Sequence, residues 1–95
     1  MRGLSRGFSR GLSAEQLLAI ADEYCEFHGC HITSFGFLAA CAAVPGSRFH
    51  GVPVFDSVDA AAEALSSSIT ALAPLSSGNE GFAVVAAEVY RRWAG

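Results

Sequence analysis

Ninety-five residues, 52% hydrophobic and only 16% charged, exclude a disordered chain and leave room for one small domain with a single core. All six cations are arginine, and Arg2, Arg6 and Arg10 fall in the first twelve residues, so residues 13–95 set three arginines against nine acids and carry a net charge near −6. An acidic body repels a phosphate backbone, which argues against nucleic-acid binding, and the longest apolar stretch, about Phe35 to Val44, is far short of the roughly 20 residues of a membrane span.

In chain order, residues 2–13 are three tandem tetrads, Arg2-Gly3-Leu4-Ser5, Arg6-Gly7-Phe8-Ser9 and Arg10-Gly11-Leu12-Ser13. Glycine at every fourth position opposes both helix and strand, so residues 1–12 read as a flexible basic tail ahead of a folded unit over 13–95. Three charges attract a polyanion only weakly at physiological salt, which favours a plain extension over a binding arm. No apolar signal-peptide core follows the arginines, so the expectation is a cytoplasmic protein. Its three cysteines, Cys25, Cys30 and Cys41, are then reduced thiols.

Ser13 and Gln16 have the spacing of a capping box, and Leu17, Ile20, Ala21, Tyr24 and Phe27 follow at helical intervals until Gly29 supplies a stop. A short second helix is expected from Ser34 to Ala43, with Phe35, Leu38, Ala39 and Ala42 on one face, ended by Pro45-Gly46. Residues 48–55 alternate Phe49, Gly51, Pro53 and Phe55 against Arg48, His50, Val52 and Val54, and their β-branched and aromatic content predicts a small hairpin or flap, which Pro53 confines to an edge. A third helix runs from Ser57 to Leu72 on a stripe of Val58, Ala62, Leu65, Ile69 and Leu72. A fourth runs from Gly78 to Trp93, turning Phe82, Val85, Ala86, Val89 and Trp93 inward. Four helices and one flap make a mainly α fold.

Residues 72–81, Leu-Ala-Pro-Leu-Ser-Ser-Gly-Asn-Glu-Gly, enter the fourth helix like a phosphate loop. Unpaired N–H groups and the positive end of the helix dipole make Ser76, Ser77, Gly78 and Asn79 a candidate phosphate or nucleotide cradle. The competing role for Ser76 and Ser77 is to cap the helix. Cys25, His28, Cys30 and His31 carry soft metal donors, but adjacent Cys30 and His31 suit one tetrahedral site poorly. The favoured reading is a helix-end turn with Cys25 buried, His28 exposed and no metal. Cys30, flanked by His28 and His31, is the one candidate for a reactive thiol, and Cys41 belongs to the core.

The segment Phe35-Gly36-Phe37-Leu38-Ala39-Ala40-Cys41-Ala42, the flap Phe49-His50-Gly51-Val52-Pro53-Val54-Phe55 and the string Ala73-Pro74-Leu75-Ser76-Ser77-Gly78-Asn79-Glu80-Gly81 together resemble the Fic/Doc (Fido) family, in particular its death-on-curing toxin branch. They are similar to that family's D-x-G-L-L-x-S-A-L segment, F-x-G-x-x-x-Y flap and H-P-F-x-D-G-N-K/G-R signature, over roughly residues 13–95. The resemblance implies an all-α, Fido-like small helical bundle with a β-hairpin flap. In the family the signature histidine is the general base, the acidic residue positions metal and phosphate, and the arginine holds phosphate. Here those positions are Ala73, Ser77 and Gly81, while Pro74, Gly78 and Asn79 keep the family's letters.

Alanine cannot take a proton, serine is a poor magnesium ligand and glycine carries no charge; loss of a general base alone typically costs about 10²- to 10⁴-fold in rate. Glu80 adds a negative charge beside the loop. The resemblance therefore implies a pseudoenzyme with a degenerate active site, part of a toxin–antitoxin-type module, that binds a protein or a nucleotide. An antitoxin-like or target protein is the implied partner, and strand addition at the flap is one route to it. ATP or another nucleotide with magnesium is the implied cofactor if any is bound. Two alternatives stay open: an active phosphotransferase or AMP-transferase with His50 or Glu80 as substitute base, and an assembly module that joins a complex or a homo-oligomer. The family usually continues beyond the position of Trp93-Ala94-Gly95, so the resemblance also implies a minimal relic, a chain completed by a partner, or a truncated product.

Overall fold

The computed structural model describes residues 10–95; the remainder of the expected basic tail, residues 1–9, lies outside them. Four helices, α1 (Ala14–His28), α2 (Phe35–Ala43), α3 (Val58–Leu72) and α4 (Asn79–Ala94), carry most of the fold, and a hairpin of β1 (Arg48–Phe49) and β2 (Val52–Pro53) joins α2 to α3. The expected mainly α architecture with one antiparallel hairpin is present.

Local chemistry explains where the elements begin and end. The Gln16 amide donates to the Ser13 hydroxyl at 3.0 Å and the Ser13 amide donates to the Gln16 side chain at 2.8 Å, the reciprocal capping box. Ser34 and Ser57 cap α2 and α3 through the amides of Phe37 and Ala60. Gly29, at φ 72°, ends α1 in the left-handed conformation that glycine adopts without a Cβ penalty. His50 and Gly51 both take positive φ, as a two-residue type I′ turn requires, and Phe49 pairs with Val52. Pro53 faces Arg48 at the position between ladder hydrogen bonds, while the next bond runs from the Val54 amide to the Ser47 carbonyl. Its missing N–H is therefore not needed.

The core lies between α3 and α4, the most extensive helix pair, with α1 and α2 closing it. Leu17 and Ala21 from α1, Leu38 from α2, Ala62, Leu65 and Ile69 from α3, and Phe82, Ala86 and Tyr90 from α4 are buried there. The alanines let the helices approach closely.

Three expectations are corrected. On α1, Phe27 of the expected stripe is 90% exposed, while Cys25 is buried as the helix-end reading expected. On α4, Val85, Val89 and Trp93 remain substantially exposed, while Ala83, Ala87, Tyr90 and Ala94 face inward with Phe82 and Ala86. Both helices have an apolar arc wider than one stripe, and periodicity finds the arc but not which half is covered. On α2, Leu38, Cys41 and Ala42 are buried whereas Phe35 and Ala39 are not. That helix is apolar all round, so its neighbours choose the face.

The ordered chain also starts before Ser13. The Tyr90 hydroxyl donates to the Arg10 carbonyl at 2.7 Å, the Arg10 guanidinium lies 5.2 Å from the Trp93 ring centroid, and Leu12 packs on the core. Residues 10–12 thus belong to the folded body rather than to a tail.

Candidate functional site

The loop before α4 is held from below. Ile32 and Leu75 form an isolated antiparallel bridge, flanked by the Ser76 amide donating to the His31 carbonyl and the Thr33 amide donating to the Pro74 carbonyl, both at 2.8 Å. The Thr33 hydroxyl adds a third bond, to Pro74 at 3.1 Å. Residues 31–34 therefore act as a clamp on residues 74–76.

Within the loop, Ala73 caps the end of α3 in the left-handed region at φ 50°. Ser76 accepts the His31 amide at 3.0 Å, and Ser77 is exposed. The serine-cap expectation for α4 is corrected: Gly78 is the N-cap, at φ 71°, and makes no side-chain cap bond. Asn79 instead closes a ring with Leu75, its Oδ1 accepting the Leu75 amide and its Nδ2 donating to the Leu75 carbonyl, each at 2.9 Å. The two polar side chains best placed to meet an anion are thus engaged with the backbone.

Tyr24 of α1 covers the start of α4. Its hydroxyl donates to the Gly78 carbonyl at 3.0 Å, and its ring stacks on His28 with centroids 4.2 Å apart. A Cβ at Gly78 would come within 3.0 Å of that hydroxyl, and one at Gly81 would collide with it. Position 81 can hold only glycine while Tyr24 stays there. Glu80 is exposed in the first turn of α4, and His50 sits at the tip of the hairpin against Phe49. Among the described residues, no hydrogen bond or ring contact joins His50 to residues 73–81.

Two concave surfaces flank α4, and neither is lined by any of residues 73–81. The larger, about 770 Å³, is an open groove between α1 and α4. Ile20, Tyr24, Phe27, Val85 and Val89 make its apolar walls, and among the described residues Glu23 and Glu26 supply its carboxylates, with the ring of His28 beside them. The smaller, about 260 Å³, lies between α3 and α4 and is polar, with Arg91 bonded to Asp59 at 3.1 Å at its edge. The groove is what the sequence reading missed. Its signal was the doubled stripe, Ile20/Tyr24/Phe27 on one helix and Val85/Val89 on the other.

The cysteine–histidine cluster divides. Cys25 and Cys30 meet with their sulfurs 3.2 Å apart, His28 lies against Tyr24, and His31 uses its backbone on Ser76. No group of three or more His, Cys, Asp or Glu side chains gathers in metal-binding geometry among the described residues. Burial, then the Cys30 hydrogen bond, pushes the Cys25 thiol up to about 11. Burial likewise raises Cys41, against a lowering contact from Ser68. No helix among the described residues is long and apolar enough to cross a membrane. No family model, curated protein or solved structure matches the chain.

Proposed function

We propose that this chain is a degenerate Fic/Doc-like protein that works by holding a protein partner in the α1/α4 groove and does not transfer phosphoryl or nucleotidyl groups. The single observation that carries the reading is the separation of the two surfaces. The motif positions Ala73, Ser77 and Gly81 offer no base, metal ligand or cation and line neither concavity, while the larger of the two is apolar.

The occupant is an amphipathic helix with basic flanks, the chemistry expected of an antitoxin-like segment. Apolar anchors at i and i+4 fit between two helices, and Glu23 and Glu26 complement cations on the rim. A second copy of the same face would oppose those carboxylates to their own kind, which disfavours self-pairing. Phe27 supplies the most exposed anchor, and full burial of such a side chain is worth roughly 1.5–3 kcal/mol.

Calorimetric titration with a synthetic helical peptide, leucine on one face and arginine on the other, tests the reading. Binding near ~10 µM is expected, weakened at least about tenfold by Val89→Asp and unchanged by Val84→Asp, which lies on the α3/α4 side. No heat, or equal affinity for both variants, rejects the groove; concentration-dependent dimerisation by light scattering assigns it to a second copy instead. Magnesium with labelled ATP should transfer no label to lysate proteins, and turnover typical of intact relatives overturns the pseudoenzyme reading.

A further inference from the structure

The end of α1 builds a sulfur pair by a route that needs no other element. Gly29 turns the chain in the left-handed conformation, and the amides of Gly29 and Cys30 both donate to the Cys25 carbonyl, at 2.8 and 3.2 Å. The bond from residue 30 to residue 25 is the six-to-one bond of a Schellman motif, which sets the side chains of those two residues against each other. In most helices that contact is apolar. Here it is two thiols, with the Cys30 sulfur 3.2 Å from that of Cys25, Cys25 only 9% exposed and Cys30 open in part to solvent.

We propose that Cys25 and Cys30 are a redox-reversible dithiol that closes to a disulfide on reaction with a low-molecular-weight disulfide. The accessible Cys30 thiolate attacks one sulfur of the oxidant, forming a mixed disulfide and releasing one thiolate. Cys25 then gives up its proton to solvent and attacks the Cys30 sulfur, expelling the second thiolate. Two protein thiols are oxidised, two electrons pass to the oxidant, and two small thiols leave. The order follows from access: Cys25 is buried and its proton is held tightly by desolvation and by Cys30. Once Cys30 carries the mixed disulfide, its sulfur no longer holds the Cys25 proton as a thiolate or bears a charge beside it, so the second step meets less resistance. Cys41, buried in the core next to Ser68, is not part of the pair.

The pair sits directly ahead of the clamp formed by residues 31–34 on Pro74 and Ser76. Ring closure tethers the base of that clamp to α1. This inference stands apart from the partner-binding reading, since neither sulfur lines the groove.

The test uses the whole reduced chain with glutathione disulfide at about pH 8, followed by acid quench, thiol blocking and mass spectrometry. Cleavage after the exposed Glu26 separates Cys25 from Cys30, so a disulfide between them holds the two peptides together until reduction. The wild type should lose two hydrogen masses and yield that linked pair. Cys25→Ser should stop at a glutathione adduct on Cys30, and Cys30→Ser should release glutathione thiol at least about tenfold more slowly. A wild type that retains a stable adduct, that links through Cys41, or that stays fully reduced overturns the proposal and leaves the sulfur contact as Schellman packing only.

Discussion

Gly81 and Tyr24 offer the sharpest probe of the site, because an alanine at position 81 should change the sign of its effect with the residue at position 24. Replacing a helical glycine by alanine ordinarily stabilises by about 1 kcal/mol. At Gly81 the new Cβ collides with the Tyr24 hydroxyl, which is fixed by its bond to Gly78 and by the stacking of its ring on His28. Relief breaks that hydrogen bond, worth about 1 kcal/mol, and displaces packing worth roughly 1–3 kcal/mol. Gly81→Ala should therefore destabilise by about 1–3 kcal/mol. Tyr24→Phe alone should cost about 1 kcal/mol for the lost bond. In the double variant the hydroxyl is gone and the nearest ring carbon is 3.4 Å from the Cβ, so the alanine recovers its helical advantage and stability returns close to wild type. The coupling is then about 2–4 kcal/mol. Urea denaturation at constant m measures it, and each kcal/mol also moves Tm by roughly 4–8 °C in a domain of this size. Effects that add within about 0.5 kcal/mol would refute the contact and with it the account of why no arginine fits at position 81.

Asn79→Ala should destabilise by about 1–3 kcal/mol, because the buried Leu75 loses the partner of both its amide and its carbonyl; faster hydrogen exchange at the Leu75 amide checks the cause. Ser13→Ala should cost about 1 kcal/mol by thermal melting, since the capping box satisfies donors at the start of α1. For Cys25 the folded pKa is raised from 9.0 to about 11, so the unfolded thiol ionises first as pH rises. Its contribution is complete below pH 9 and is lost between 9 and about 11, with a slope of up to about 1.4 kcal/mol per pH unit. A Cys25→Ala variant should show a flatter decline in denaturation midpoint across that window, and an unchanged decline would contradict the assignment.

The helices and the hairpin were legible in the chain because their causes are local. Ser13 with Gln16, Ser34, Ser57, Gly29 and the His50-Gly51 turn act over three or four residues, and the bonds and dihedrals that they imply are present. That positions 73, 77 and 81 carry no imidazole, carboxylate or guanidinium was equally legible, since alanine, serine and glycine lack those groups in any fold. The role of Ser76 was not, because its partner is the His31 amide, 45 positions away in the chain. The exposure of Phe27 was hidden for a similar reason, as it lies within the same apolar arc as the buried Leu17, Ala21 and Cys25.

Residue order alone thus settled the helix limits, the single small core, the acidity of the body and the absence of a histidine, a carboxylate and an arginine from positions 73, 77 and 81, all of which follow from side-chain chemistry and short-range spacing. Tertiary packing decided which half of each apolar arc meets the core, placed Tyr24 over Gly78 and Gly81, and left the α1/α4 groove open. The reason is physical: the periodicity of a helix records how wide its apolar face is, but only the distance and angle to its neighbours determine how much of that face is removed from water.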